Sequence, residues 1–307
     1  MTTTEDPTVP PRESPVPITA VPLRHPWRWV SAVVLLVLVA MLVNSLVTNP
    51  AWDWPTVWKY LFSDSILRGL WLTVWVTVAA MVIGIALGVV LAVMRMSANP
   101  IVKGVSWVYI WFFRGTPVLV QIIFWVFLGQ LYRFISLGIP FGPDFLYFNT
   151  TDLIPVLVGG LLALGLNEGA YMAEIVRAGI TSVDAGQTEA AEALGMTRLK
   201  VMRRIVLPQA MRIIVPPTGN ETISMLKTTS LLSVAAILEL FGTAQFIYGS
   251  NYKQIPLLVV ASIWYLVLTS IMSVGQYFLE KRFGRGATPV GRARQKVKLR
   301  ARREGPS

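Results

Sequence analysis

Cysteine is absent from the 307 residues, and histidine occurs once, at His25. Disulfides, thiolate metal sites and thiol catalysis are therefore excluded. A histidine base or a buried histidine metal site has nothing to be built from. No G-x-x-x-x-G-K-S/T stretch occurs, so the chain lacks a phosphate-cradling P-loop. If ATP drives its work, ATP and Mg are bound by a partner chain, and this one holds no cofactor. Charge is also scarce. Charged residues make up 14% of the chain, against about 25% in a typical soluble domain. With 54% hydrophobic residues and a mean hydropathy of +0.59, the composition is that of a polytopic membrane protein, not of a soluble core.

Long apolar runs supply what charge does not. Six candidate helices lie near 30–47, 66–94, 107–134, 154–179, 215–247 and 256–280. A spanning helix needs about 20 apolar residues, and all six approach that length. The expected fold class is an all-α integral membrane protein. The net charge of +11 raises a nucleic-acid partner, but ten Lys and Arg crowd into 281–303 beside a span. Positive charge in that position retains a loop on the cytoplasmic side. With both termini, the 95–104 loop and the 180–212 loop inside, 22 of the 27 Lys and Arg fall on the cytoplasmic side or its boundary. The reverse orientation breaks the positive-inside rule. The expected location is a cell membrane, and the lipid bilayer replaces nucleic acid as the partner.

Residues 1–29 contain seven Pro and no apolar period, which reads as a disordered cytoplasmic tail. Residues 30–47 read as an uncleaved anchor helix, since no small-residue cleavage site follows. Residues 48–65 form an outer segment with Trp52, Trp54, Trp58 and Tyr60 as an interfacial belt. Residues 284–307 are a basic cytoplasmic tail.

Polar groups at membrane depth usually face a cavity or a partner. On a regular helix, Gly160, Ala163, Asn167, Tyr171 and Glu174 share an arc of about 80°, with Glu168 on its flank. Glu221, Ser224, Thr228, Ala235 and Glu239 share about 60° if their helix runs unbroken. Pro216 and Pro217 suit the first turn of that helix. Asn167, Glu168, Tyr171, Asn220 and Glu221 are the expected pathway residues, although Asn167 and Tyr171 would equally serve as interhelical hydrogen bonders. Lys227 is expected to pair with Glu221 or Glu168. Glu174 and Arg177, spaced i, i+3, read as an ion pair. Arg114 reads as an anchor at the inner boundary, Pro117 as a kink, and Glu239 as solvated near the outer side.

The most informative stretch is EAAEALGMTRLKVMRRIVLP, residues 189–208. Ala190, Ala193, Leu194, then Leu199, Met202 and Ile205 recur with helical spacing. Gly195 fits a turn that needs positive φ. Thr197 fits an N-cap. Pro208 is expected to close the second helix. Two short angled helices projecting from the membrane would suit docking on a partner.

Glu189-Ala190-Ala191, three residues, Gly195, nine residues, then Ile205-Val206-Leu207-Pro208 resembles the EAA loop of permease subunits of bacterial ABC importers. Trp111-Phe-Phe-Arg-Gly-Thr-Pro117, Leu166-Asn-Glu-Gly-Ala-Tyr-Met-Ala-Glu-Ile175 and Leu226-Lys-Thr-Thr-Ser230 resemble the polar amino acid subfamily. The resemblance covers roughly 66–283. It implies a type I importer permease domain there, with a five-helix core and a coupling loop at 184–208. It also implies paired permease subunits, identical or similar, two cytoplasmic ATPase subunits docked on the EAA helices, and an extracytoplasmic amino-acid-binding protein. Glu189 would orient the loop or meet basic partner groups. Ala190 and Ala191 would allow close contact, Gly195 would set the angle, and Ile205, Leu207 and Pro208 would complete the loop.

The leading expectation is thus a transport subunit without a catalytic site of its own. It would import polar amino acids, with a lean to glutamate or its amide. The alternative is a stand-alone ion-coupled carrier or channel using the intramembrane carboxylates. That reading wants broken helices, and none stands out in the sequence. Co-purification with a P-loop ATPase separates the two.

Overall fold

The computed structural model describes residues 26–139 and 141–283. The expected disorder of the first 25 residues and the basic tail at 284–307 lie outside the described residues. The chain divides into two units, one ending at Trp52 and one beginning at Asp53. The first contains α1 (Pro26–Thr48), which starts three residues before the tail was expected to end. It is apolar on every side, as a lipid-facing helix is.

The second unit opens with α2 (Trp54–Leu61). Asp53 takes the left-handed conformation at its N-cap and accepts from the Thr56 amide. The apolar side of α2 places Val57 and Leu61 in a buried cluster with Leu240, Leu257 and Val260. Trp264 Nε1 donates to Leu61 O at 2.8 Å, and Lys253 Nζ pairs with Asp53.

Helix α3 (Asp64–Arg95) is the long central element. Asn99 caps α4 (Pro100–Gly115) by accepting from Ile101 N at 2.9 Å. Next come α5 (Val118–Val126), the single-turn α6 (Leu128–Leu131), a hairpin of β1 (Phe134–Gly138) and β2 (Asp144–Asn149), and the single-turn α7 (Thr150–Leu153). The hairpin pairs Ile135 with Phe148 and Leu137 with Leu146. The sequence reading placed a helix as far as 134 and no strands, because the local apolar run does not distinguish the two.

Helix α8 (Val156–Thr181) follows, then α9 (Ala185–Ala193), the single-turn α10 (Arg198–Val201) and α11 (Leu207–Thr228). A 3₁₀ segment (Thr229–Ala235) leads to α12 (Leu240–Asn251), and α13 (Gln254–Phe283) ends the described chain.

Four helices are long and apolar enough to cross a membrane, and two bent pairs bring the count to six. Four of the expected spans are single helices, and the other two correspond to bent pairs, which make six if each pair is one span. Between α4 and α5 the axis turns by 102°, because Pro117 lacks the N–H needed to extend α4 and clashes with its last turn. The fifth span bends by 41° after Ala236, whose φ is +56°.

Lipid chains are as apolar as side chains, so burial alone does not hold such helices together; close van der Waals packing does. In α3, Gly84 and Gly88 have no side chains and lie against Glu168 and Met172 of α8. A Cβ at either would overlap those residues. Leu164 and Met172 are fully buried in the cluster that joins α3, α8 and α11.

Candidate functional site

The bend after α4 shapes a cavity. Its end leaves carbonyls without helical partners, and these need donors at membrane depth. Gln121 Nε2 donates to Phe113 O at 3.0 Å and to Thr116 Oγ1 at 2.7 Å. Asn167 Nδ2 donates to Phe113 O at 2.9 Å and to Gln121 Oε1 at 3.2 Å. Asn167 thus ties α8 to the bend. Sequence reasoning missed Gln121; its signal was a lone amide in the run Val118–Val126.

Arg114, Asn167, Glu168, Tyr171 and Glu221 line one cavity of 560 Å³, floored by Gly115–Val118 and closed by Ser224 and Thr228. Glu221, Ser224 and Thr228 share one face of α11, as their spacing predicts. Glu168 is 4% exposed, and its Oε1 has no hydrogen-bond partner. A buried carboxylate oxygen without a partner is costly. Arg114 lies over the Tyr171 ring at 5.0 Å. Glu174 adjoins the cavity in smaller recesses that Arg114 and Tyr171 also line. The expected Glu174–Arg177 pair forms at 2.6 Å.

Other singled-out residues lie outside this cavity. Asn220 and Lys227 are exposed and do not line the cavity. Lys227 forms no ion pair among the described residues; six residues from Glu221, it points about 120° away on the helix. Pro216 and Pro217 lie inside α11, because that helix starts at Leu207. Gln276 of α13 donates to the Pro216 carbonyl at 2.8 Å.

Glu239 is not solvated but fully buried. The helix expected to carry it has ended, and Glu239 instead caps α12. It accepts from Gly242 N at 2.6 Å, Phe241 N at 3.0 Å and Tyr265 Oη at 2.9 Å.

The EAA stretch forms α9 and α10 on either side of a turn at Gly195. Asp184 caps α9 by accepting from Gly186 N at 2.8 Å. The helix ends in a Schellman motif. Met196 N donates to Ala191 O at 3.1 Å, Gly195 N donates to Glu192 O at 2.9 Å, and Gly195 has φ +77°. Thr197 occupies the next N-cap but makes no side-chain capping bond. Pro208 does not close the second helix. One π-turn, Met202–Val206, carries α10 into α11, and Pro208 sits in the first turn of α11, where its missing N–H costs little.

The buried residues of the stretch are Ala191, Val201 and Val206. The apolar stripe read from the sequence largely faces outward: Ala190 and Ala193 are exposed, Leu194 is 85% exposed and Leu199 78%. Glu189 is exposed as well, Ile205 is half-buried, and Leu207 is exposed.

Bent apolar helix pairs and a cavity lined by charged and polar side chains are features of a membrane transport protein. The chain belongs to the family described as binding-protein-dependent transport system inner membrane component, which matches residues 84–285. It is 50% identical over 290 residues to the arginine transport system permease protein ArgU of Corynebacterium glutamicum, covering 93% of this chain and 89% of that one. It is 39% identical to the L-cystine transport system permease protein TcyB of Bacillus subtilis, covering 63% of this chain and 76% of that one. Among solved structures, an amino acid ABC transporter with histidines aligns with TM-score 0.60 and 36% identity, over 72% of this chain and 95% of that chain. The methionine transporter MetNI, at 17% identity and TM-score 0.56, shares the fold.

The protein is an amino acid ABC transporter permease subunit. The two broken spans remove the sequence-level objection to a stand-alone carrier, and the family membership decides against it.

Proposed function

We propose that this subunit imports a cationic amino acid, with arginine the leading candidate. The observation that carries the proposal is Glu168, buried in the cavity wall with an unpartnered carboxylate oxygen and with Glu221 lining the same cavity. Lys227, a cation that would favour an anionic side chain, does not line the cavity. Two carboxylates meet the cationic side chain and the α-ammonium group, while the single cation, Arg114, is left for the α-carboxylate. The 50% identity to an arginine permease supports the same substrate.

The partners follow from the same reading. A second permease subunit, identical or similar, completes the pathway, an extracytoplasmic binding protein delivers substrate, and two cytoplasmic ATPases supply the energy. The ATPases dock on 184–208 through Glu189, Ala190, Leu194 and Leu199. Both termini are cytoplasmic. Residues 30–47 serve as an anchor helix, 48–65 as an outer segment, 66–283 as the permease domain and 284–307 as a basic inner tail. ATP binding closes the ATPases, and α9 and α10 carry that motion into α11, shifting the cavity between two openings.

The test is uptake of labelled arginine and glutamate by the complete importer in proteoliposomes. Glu168→Gln is expected to lower arginine uptake at least tenfold, and Lys227→Met to leave it unchanged. Full arginine uptake by Glu168→Gln, or glutamate as the transported species, refutes the assignment.

A further inference from the structure

We propose that Arg114, stacked on Tyr171, is a cation barrier in the transport path, which excludes inorganic cations and yields to the carboxylate of an amino acid. The proposal rests on the reading of the 560 Å³ cavity as the pathway.

Position is the first argument. Arg114 and Tyr171 line the main cavity and both smaller recesses beside it, of 400 and 350 Å³. Glu168 lies only on the cavity side of this pair, and Glu174 only on the recess side. Along α8, Asn167, Tyr171 and Glu174 follow one another at 1.5 Å per residue toward the EAA end. A solute that leaves the cavity in that direction passes the guanidinium.

Charge is the second. Two further carboxylates line the same spaces as Arg114: Glu221 shares the cavity and one recess with it, and Glu174 shares both recesses. Neither forms an ion pair with it, and Glu174 is taken by Arg177 at 2.6 Å. The guanidinium is exposed and rests on an aromatic face, which holds a cation without cancelling its charge. It also sits at the C-terminal end of α4, whose dipole favours a cation there. An arginine kept only to join helices would use the carboxylates beside it. This one keeps an unbridged guanidinium where the cavity meets the recesses, and a fixed cation in a pathway is a means by which a pore excludes cations and protons.

Substrate passage then has a chemical trigger. A bare cation meets only repulsion at Arg114. An amino acid brings an α-carboxylate, which pairs with the guanidinium and draws it from the Tyr171 ring. The path opens only when the solute carries its own anion. A membrane protein that binds cations at two carboxylates needs such a device, because the same carboxylates attract K⁺ and protons.

The experiment uses the complete importer in liposomes, with a K⁺ or pH gradient and an entrapped dye, without ATP. Wild type is expected to hold the gradient. Arg114→Gln and Tyr171→Ala are expected to leak at least tenfold faster, and Arg114→Lys to restore tightness, since it keeps the charge. If Arg114→Gln holds the gradient while arginine uptake falls, Arg114 is only a positioning residue and the proposal is overturned. A leak in Arg114→Lys equal to that in Arg114→Gln also overturns it, since charge is then not the agent. Failure of the underlying pathway reading looks different: Glu168→Gln then transports arginine normally, whatever the leak.

Discussion

Replacing Gly195 isolates the torsional contribution to coupling. Its φ of +77° is one that side-chain-bearing residues rarely adopt, and no heavy atom lies within 4 Å of where a Cβ would sit. A substitution therefore meets no steric obstacle and acts through backbone strain. The left-handed conformation costs an alanine about 1–2 kcal/mol relative to glycine, a factor of about 5–30 in the population of the turn. Asparagine visits this region more readily, and a β-branched residue less so. The turn holds the Schellman bonds between α9 and α10, so, on the proposed coupling role, its population sets how much ATPase motion reaches α11. In proteoliposomes with the partner subunits, substrate-stimulated ATPase activity and uptake should rank Gly, then Asn, then Ala, then Val. Ala should fall about 5–30-fold below wild type. Gly195→Glu should abolish uptake, since it adds charge beside the exposed Leu194. The turn is exposed, so the thermal stability of the spans should be unchanged in all of them. Full activity of Ala and Val refutes the reasoning, as does an Asn variant weaker than Ala.

Glu239→Ala should lower stability by about 3–5 kcal/mol, since it strips a helix cap and leaves buried donors on Gly242, Phe241 and Tyr265 unpaired; thermal unfolding in detergent measures this, and a wild-type midpoint would count against it. Gln121→Leu removes the donors to Phe113 O and Thr116 Oγ1 and should relax the α4–α5 bend, lowering uptake along with stability, whereas the exposed Lys227→Leu should change neither. The Lys253 hydrogen bond holds the Asp53 carboxyl below the usual carboxylate range. The sign follows: the pair contributes fully above the unfolded value near 3.9, and its contribution is lost as pH falls through the lowered folded value. Asp53→Asn should therefore destabilise the protein from pH 7 to pH 5 and converge with wild type under strongly acid conditions, as followed by thermal midpoints.

The helix–turn–helix of the EAA stretch was legible in sequence because its determinants are local. The Glu189-to-Pro208 spacing and the glycine at the positive-φ turn act over a few positions each. The six apolar runs were equally legible, since the length of a span is set by lipid thickness and not by its neighbours. The cavity was legible only in part. Asn167, Glu168, Tyr171 and Glu221, which line it, were singled out because a polar residue in an apolar run stands out. Lys227 and Asn220 stood out in the same way but do not line it, because residue type carries no direction. Glu239 was misplaced because a constant 100° per residue was carried across a break that begins near Ala236.

The sequence by itself determined the class of protein, the runs able to span a membrane and the hinged loop, all of which follow from composition and short-range stereochemistry. Tertiary structure alone decided which charges share a cavity. That depends on the 102° turn after Arg114 and on the contact of Gly84 with Glu168. It brings together residues more than fifty positions apart, whose meeting no local pattern encodes.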